Sequence, residues 1–159
     1  MLGSRQFQRA VVIGGFVAIG AIVAFMVVLQ VSAAQSAAFK QSWNSVKAQA
    51  NDLTGEYQAE EGRWKAGQLD NATMAGIVDV YLPKYQQLID NAKAIETPDH
   101  YVESRDLLVK SLEAEKSSNE HFKEYLLTGD EDEYKKASDL LSLSLKHEAE
   151  SSAAMSAAG

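Results

Sequence analysis

Residues 39–57 read FKQSWNSVKAQANDLTGEY, and the spacing of the apolar side chains in this stretch decides the fold that the sequence predicts. The intervals alternate between four and three residues, which is the heptad spacing of a helix that packs lengthwise against other helices. Residues 32–38 contain no proline or glycine, so we expect one helix to lead from the preceding segment into a bundle. The predicted seam consists of Phe39, Trp43, Val46, Ala50, Leu53 and Tyr57.

The segment before this seam is strongly apolar. Residues 11–31 read VVIGGFVAIGAIVAFMVVLQV, in which Gln30 is the only polar side chain. A helix of that length spans roughly 30 Å, the thickness of the hydrocarbon core of a bilayer. The alternative is a signal peptide cleaved near Ser32, but the apolar cores of signal peptides cover only about 7–15 residues. The sequence therefore predicts an uncleaved transmembrane helix.

The flanking charges predict the orientation of this helix. Arg5 and Arg9 precede the apolar segment, and the next basic residue is Lys40. Basic residues favour the cytoplasmic side, and a second apolar run of about 18 residues is absent from the sequence. We therefore expect a single-pass protein of the cell membrane. Its predicted parts are a cytoplasmic N-terminus (1–10), a transmembrane helix (11–31), an extracytoplasmic helical bundle (32–148) and an Ala/Ser-rich C-terminal tail (149–159).

Small residues within the apolar segment predict contacts with other membrane helices. Gly14, Ala18 and Ala21 share one helical face, and Gly20 with Ala24 forms a second pair of small residues four positions apart. Such faces allow transmembrane helices to approach closely, although glycine and alanine are also common in membrane helices generally. The expected partners are other membrane-protein subunits and the lipid bilayer.

Composition excludes several functions. All 22 acidic residues follow residue 50, and the net charge of the chain is −7, so a nucleic-acid partner is not expected. The absence of cysteine excludes disulfides, zinc–thiolate sites and cysteine nucleophiles. Asn71 begins an Asn-Ala-Thr sequon and is a candidate glycosylation site, in keeping with an exterior location.

Capping residues predict three more helices. The second helix is expected to begin near Thr73 and to be kinked or broken at Pro83. Thr97 is the predicted N-cap of a third helix, with Pro98 at its first position, running to Leu127. We therefore predict an all-α fold in which the transmembrane helix continues into an up-down four-helix bundle. The residues expected to face the core of this bundle are Met74, Ile77, Tyr81, Leu88, Ala92, Ile95, Tyr101, Leu108, Leu112, Phe122, Tyr125, Leu126, Tyr134, Ala137, Leu141 and Leu145.

The junction between the last two predicted helices contains a distinctive run of capping and turn residues. Gly129 is suited to the left-handed conformation that ends a helix, and Asp130 to capping the next one, with Glu133 three residues later. Residues 121–130 read HFKEYLLTGD and are followed by Tyr134. This phrase resembles the helical-bundle ectodomains of bacterial and archaeal membrane receptors, where a Tyr-Leu-x-Thr-Gly-Asp phrase joins the last two helices. The resemblance implies a helical bundle that senses a ligand and works with a separate transducer.

The sequence predicts no catalytic residues, no cofactor and no metal. Di-metal sites in helical bundles need Glu-x-x-His pairs, and the three histidines are instead preceded at that spacing by Thr97, Ser118 and Ser144. His147, Glu148 and Glu150 do not share one helical face. Trp43 and Trp64 are either an aromatic ligand wall or core residues.

Polar residues interrupt the apolar seam of the third helix. Glu115, Ser118 and Asn119 fall where apolar side chains are expected. They either line a small polar cavity, contact Lys47 or Arg63 on another helix, or face water or a partner protein. They are the candidate site of the extracytoplasmic body.

Three functions remain open, and an enzyme acting alone is not expected. The first is a non-catalytic accessory or structural subunit of a larger membrane complex. Its architecture is similar to that of small accessory subunits of archaeal ammonia monooxygenase, a membrane-bound oxygenase. The second is a ligand-sensing ectodomain. The third is a pilin-like filament subunit, since Arg9-Ala10 resembles a processing site, although the early apolar run lacks the glutamate usual in bacterial pilins.

Overall fold

The computed structural model describes residues 32–159, and for the preceding segment it gives only the start of the first helix, at Ser4. Four α-helices cover most of this range: α1 (Ser4–Lys65), α2 (Asn71–Lys93), α3 (Val102–Thr128) and α4 (Glu131–Ala158). A short 3₁₀ helix, Asp99–Tyr101, precedes α3, and the described residues contain no strand. The prediction of an all-α fold with four helices is confirmed.

The predicted transmembrane segment, 11–31, lies outside the described residues, as do its small-residue faces at Gly14, Ala18, Ala21, Gly20 and Ala24. Within residues 32–159, none of the helical segments combines the length and apolarity needed to cross a bilayer.

Residues 39–159 form one compact unit in which neighbouring helices run antiparallel. The α1–α2 pair meets through Trp64 with Asn71 at one end and Thr54 with Tyr85 further along. Ion pairs join α2 to α3 in the same antiparallel sense, Asp79 with Lys123 and Lys93 with Glu113. Lys47 of α1 reaches Ser152 and Glu148 near the end of α4, which completes an up-down bundle.

The core consists of two clusters along the bundle axis. All six residues of the predicted α1 seam are buried, with at most 8 % of their surface exposed, as the heptad spacing requires. In the first cluster the Phe39 ring stacks on Tyr101 with their centroids 4.7 Å apart. In the second, the Trp64 ring packs edge-on against Phe122 at 5.2 Å. Trp43 is a buried core residue, and Trp64 is a partly buried neighbour of the second cluster.

The start of α2 agrees with the prediction to within two residues, and of the kink or break predicted at Pro83 the break is not found. The helix begins at Asn71, two residues earlier than expected, because the carboxylate of Asp70 caps it by accepting a hydrogen bond from the Thr73 backbone N–H at 2.7 Å. The helix also continues through Pro83 without a break. Buried Val78 and Tyr85 anchor it to the core on either side of the proline, which compensates for the lost backbone hydrogen bond.

The predicted start of α3 is also wrong. The Thr97 hydroxyl donates to the Ile95 carbonyl at 2.7 Å, so it closes the turn after α2 and does not cap a helix. Pro98 has extended backbone angles (φ −59°, ψ 146°) and leads into the 3₁₀ helix, so it is not the first residue of α3, which begins at Val102. The N-cap and N1 assignments of these two residues therefore do not hold.

The junction between α3 and α4 is a tight turn with a capped restart. Gly129 adopts the left-handed conformation (φ 73°, ψ 14°), and its N–H donates to the Tyr125 carbonyl at 2.7 Å. The Asp130 carboxylate caps α4 by accepting from the Asp132 N–H at 3.0 Å. Glu133 does not complete a capping box, because its carboxylate binds His121 and Lys136 instead.

The buried face of α4 differs from the expected one. Tyr134, Leu141 and Leu145 are 42 %, 40 % and 60 % exposed, because α4 meets α3 through small residues instead. Moreover, α4 continues to Ala158, whereas the sequence predicted a tail at 149–159. Met155 and Ala158 pack against the core, which explains why this Ala/Ser-rich segment remains helical. The small residues that face α3 are Ala137, Ser144 and Ser151.

Candidate binding site

The three polar residues that interrupt the α3 seam lie together. Glu115, Ser118 and Asn119 line a cavity of about 140 Å³ formed by α1, α3 and α4. The apolar part of its wall includes Phe122 and Leu141. The bundle is therefore not filled with side chains at this level.

Glu115 is the hydrogen-bonding centre of this region. Its Oε1 accepts from the Thr54 hydroxyl of α1 at 2.7 Å and from the Tyr85 hydroxyl of α2 at 3.0 Å. The contact with Lys47 or Arg63 that the sequence left open is not made. Lys47 pairs with Glu148, and Arg63 pairs with Glu60 on its own helix.

Burial controls the protonation of the groups around the cavity. It raises the pKa of the Glu115 carboxyl, while the hydrogen bonds from Thr54 and Tyr85 partly oppose this effect. Burial also raises the pKa of Tyr57 and that of Tyr85, the latter with a contribution from the nearby Glu115 charge. Both tyrosines therefore keep their hydroxyl protons at neutral pH and remain available as donors.

Two buried polar atoms beside the cavity have no hydrogen-bond partner among the described residues: the side-chain nitrogen Nδ2 of Asn119 and the hydroxyl of Tyr57. These side chains are only 6 % and 5 % exposed, respectively. By contrast, the neighbouring Ser118 hydroxyl donates to the Ala137 carbonyl at 2.7 Å. An unsatisfied buried polar group costs about 1–3 kcal/mol, so a hydrogen-bond partner for either atom would stabilise the fold.

A second cavity of about 110 Å³ adjoins the first along the α1–α4 side of the bundle. Both cavities are lined by Thr54, Gln58, Glu115 and Leu141, so they form one groove with Glu115 between its two halves. The exposed Leu145 lines the second half. Leu141 and Leu145, which were expected in the core, therefore border this groove.

Sequence reasoning identified the α3 members of this site but missed Thr54 and Tyr85. Tyr57 was assigned to the core seam, and its unpartnered hydroxyl was not foreseen. Tyr85 lies four residues after Tyr81, a spacing that places both on one helical face and could have indicated it. The contacts of Thr54 depend on how α1 and α3 are aligned, which neither helix encodes alone.

The predicted capping residues and the sequon do not line the cavity. Gly129 and Asp130 form the α3–α4 turn, and Thr97 and Pro98 precede the opposite end of α3. Asn71 is exposed, and its Oδ1 accepts from the Trp64 indole N–H at 2.8 Å; its glycosylation stays a prediction. In the described part of the chain, no three His, Asp or Glu side chains are grouped so that they could hold a metal ion.

Comparison of the chain with protein-family models, with curated proteins and with solved structures gives no match.

Proposed function

We propose that this chain is a single-pass, membrane-anchored and non-catalytic accessory subunit of a larger membrane complex. The observation that carries the proposal is the exposure of three leucines on one short stretch of α4. Leu141, Leu143 and Leu145 have 40 %, 41 % and 60 % of their surface exposed. Leu141 and Leu145 share one face of α4, and Leu143 lies on another side of the same helix. Large apolar side chains exposed on a helix are available to pack against another protein.

The apolar segment 11–31 supports the same proposal. According to this proposal, the segment spans the cell membrane and continues into the bundle, and residues 32–159 lie outside the cytoplasm. Lipid tails give no hydrophobic drive for helix association, so contact with a partner helix depends on close packing at small residues. Gly14 with Ala18, and Gly20 with Ala24, provide two such faces.

Extraction in mild detergent tests this proposal. We expect the protein to leave its native membrane in a larger assembly of fixed stoichiometry that contains a multi-span partner. The double variant Gly14→Leu/Ala18→Leu, or the variant Gly20→Leu/Ala24→Leu, fills one close-packed face without shortening the apolar segment. One of them is expected to release the subunit while leaving membrane insertion intact.

A second pair of variants tests whether the helical bundle also contacts the partner. The variant Leu143→Gln/Leu145→Gln is expected to weaken the complex, whereas Leu127→Gln, at an equally exposed position (56 %) in α3, is expected to leave it intact. A monomeric protein after extraction, at every detergent concentration that preserves other complexes, would rule out the accessory role.

A second candidate function, ligand sensing through a separate transducer, is supported by a different observation. The cavity beside Glu115 is bordered by two buried polar atoms without a partner in the described residues, Asn119 Nδ2 and the Tyr57 hydroxyl. A bound ligand would satisfy them and stabilise the fold by linkage. This function predicts that a small molecule raises the melting temperature of the protein, which the accessory role alone does not.

A further inference from the structure

We propose that the cavity between α1, α3 and α4 binds a small organic ammonium compound that also carries a hydrogen-bond acceptor. The ammonium group lies at Glu115, and the acceptor lies at Asn119. This inference rests on the second proposed function, ligand sensing, and specifies the chemistry of the ligand.

The charge of the cavity favours a cation. Glu115 makes no salt bridge within residues 32–159, and both hydrogen bonds that it accepts there go to Oε1. Lys65 of the cavity wall is paired with Glu61 at 3.2 Å, and Lys47 of the adjoining half of the groove is paired with Glu148 at 3.3 Å. Glu115 is partly buried, and a carboxylate that is partly removed from water gains from a counter-charge, which a ligand ammonium group would provide.

The aromatic part of the wall favours an organic cation. Tyr57, Phe122 and Tyr134 all line the cavity. Aromatic rings attract cations through their negative faces, and this attraction is strongest where water is excluded. A carboxylate combined with aromatic rings therefore suits an ammonium group carried on a short carbon chain better than a hydrated metal ion.

The two unpartnered polar atoms define the other end of the ligand. Asn119 Nδ2 can only donate a hydrogen bond, so its partner must be an acceptor such as a hydroxyl or carbonyl oxygen. The Tyr57 hydroxyl, which remains protonated, can donate to the same oxygen or accept from a ligand hydroxyl. An amine without such an oxygen would leave the Asn119 nitrogen unsatisfied.

The volume limits the size of the ligand. A cavity of roughly 150 Å³ holds a molecule the size of benzene, so 140 Å³ is suited to a compound of about five or six non-hydrogen atoms. Access is from the α1–α4 side, where Gln58 and Ser138 of the wall are exposed. The ligand can therefore enter without unfolding of a helix.

Three probes of equal size test this chemistry on the full chain in maltoside micelles. The compound 3-amino-1-propanol has both groups, 1,3-propanediol lacks the charge, and butylammonium lacks the acceptor. Binding is measured by titration calorimetry and by the NMR signal of the Asn119 side-chain NH₂. We expect saturable binding of 3-amino-1-propanol in the millimolar range, roughly tenfold or more tighter than either of the other probes.

Two variants locate the site. Glu115→Gln is expected to weaken the binding of 3-amino-1-propanol roughly tenfold or more, because a neutral amide replaces the counter-charge. The matched control is Glu113→Gln, two residues earlier on α3, whose carboxylate is exposed and paired with Lys93; it is expected to bind as the unaltered protein does. The comparison of the three probes on the unaltered protein does not depend on the folding of either variant.

The outcomes separate this inference from the function on which it rests. Equal affinity for 1,3-propanediol or for butylammonium, or no saturable binding of any of the three probes, would overturn the ammonium assignment. If a neutral or anionic compound shifts the Asn119 signal instead, the assignment is wrong while ligand sensing survives. Loss of the membrane complex in the extraction experiment bears on the accessory role alone.

Discussion

Ser104 of α3 and Ser151 of α4 each donate a hydrogen bond to the other's backbone. The Ser104 hydroxyl donates to the Ser151 carbonyl at 3.0 Å, and the Ser151 hydroxyl donates to the Ser104 carbonyl at 2.7 Å. These side chains can reach the opposite backbone because two serines leave little volume between the helices. The hydrogen bonds also satisfy hydroxyl groups that are 1 % and 0 % exposed.

Hydrogen bonds from a serine of α3 to a backbone carbonyl of α4 recur every seven residues, in opposite directions along the two helices. Seven residues after Ser104, the Ser111 hydroxyl donates to the carbonyl of Ser144, which lies seven residues before Ser151, at 2.9 Å. Seven further on, Ser118 donates to the Ala137 carbonyl at 2.7 Å. We call these three pairs the serine seam. A heptad interval keeps it on one face of each helix.

A large side chain in the serine seam should separate α3 from α4. Ser151→Leu is expected to lower the free energy of unfolding by about 1–3 kcal/mol or more, through overpacking and through loss of the hydrogen bond from the Ser151 hydroxyl to the Ser104 carbonyl. Urea unfolding followed by circular dichroism of the full chain in micelles measures this change.

The control for the serine seam is Ser156→Leu on the same helix, at an exposed position. It is expected to change the stability by less than about 0.5 kcal/mol. Equal effects of the two substitutions would show that close approach of α3 and α4 at Ser151 does not contribute to stability.

Two glycines should respond in opposite ways to the same substitution. Gly129→Ala places a side chain at φ 73° and is expected to destabilise the protein by about 1 kcal/mol. Gly55→Ala lies inside α1, where an added methyl group meets nothing within 4 Å, and is expected to stabilise it by about 0.5–1 kcal/mol. Thermal melts compare the two variants. A neutral Gly129→Ala would contradict the left-handed turn.

The sequence predicted the parts of the fold that depend on local patterns. The alternating spacing from Phe39 to Tyr57 predicted a buried seam, and that prediction is confirmed. The buried face of α4 was misassigned because its contact residues are serine and alanine, which carry no hydrophobic signal. The heptad interval of the serines was present in the sequence, but Leu141 and Leu145 obscured it.

Part of the candidate site could also be predicted from a local sequence pattern. Glu115, Ser118 and Asn119 interrupt an apolar pattern, so the α3 side of the cavity could be inferred from one helix. Thr54 and Tyr85 could not, because their contact with Glu115 depends on the alignment of three helices. Thr97 failed as a cap because a threonine hydroxyl before a proline can equally bond backwards to a carbonyl.

Glu115 should make stability depend on pH in the direction opposite to that of most carboxyl groups. Its pKa is raised above 4.5 in the fold, so the folded state holds the proton more tightly than the unfolded state does. The stabilisation from this group is fully present below pH 4.5 and is lost as pH rises through the folded pKa. Asp70 and Glu133, whose pKa values are lowered, act in the opposite sense at lower pH.

Urea unfolding at a series of pH values isolates this contribution. The stability of Glu115→Gln relative to the unaltered protein is expected to rise with pH from about 4.5 to the folded pKa of Glu115 and then to level off. Thr54→Val removes a hydrogen bond that lowers the pKa of Glu115, so it is expected to extend the decline to higher pH. A difference between Glu115→Gln and the unaltered protein that is constant with pH would show that burial does not raise this pKa.

The orientation proposed for the membrane helix can be tested with two epitope tags, one before Met1 and one after Gly159. Arg5 and Arg9 precede the apolar segment, and the next basic residue is Lys40, so positive-inside logic keeps the N-terminal tag in the cytoplasm. Protease added to intact spheroplasts is expected to remove the C-terminal tag and to spare the N-terminal one. Detergent-permeabilised spheroplasts, in which both tags are expected to be lost, show that the protease can reach each site. Protection of the C-terminal tag in intact spheroplasts would reverse the orientation and place the cavity beside Glu115 in contact with cytoplasmic ligands.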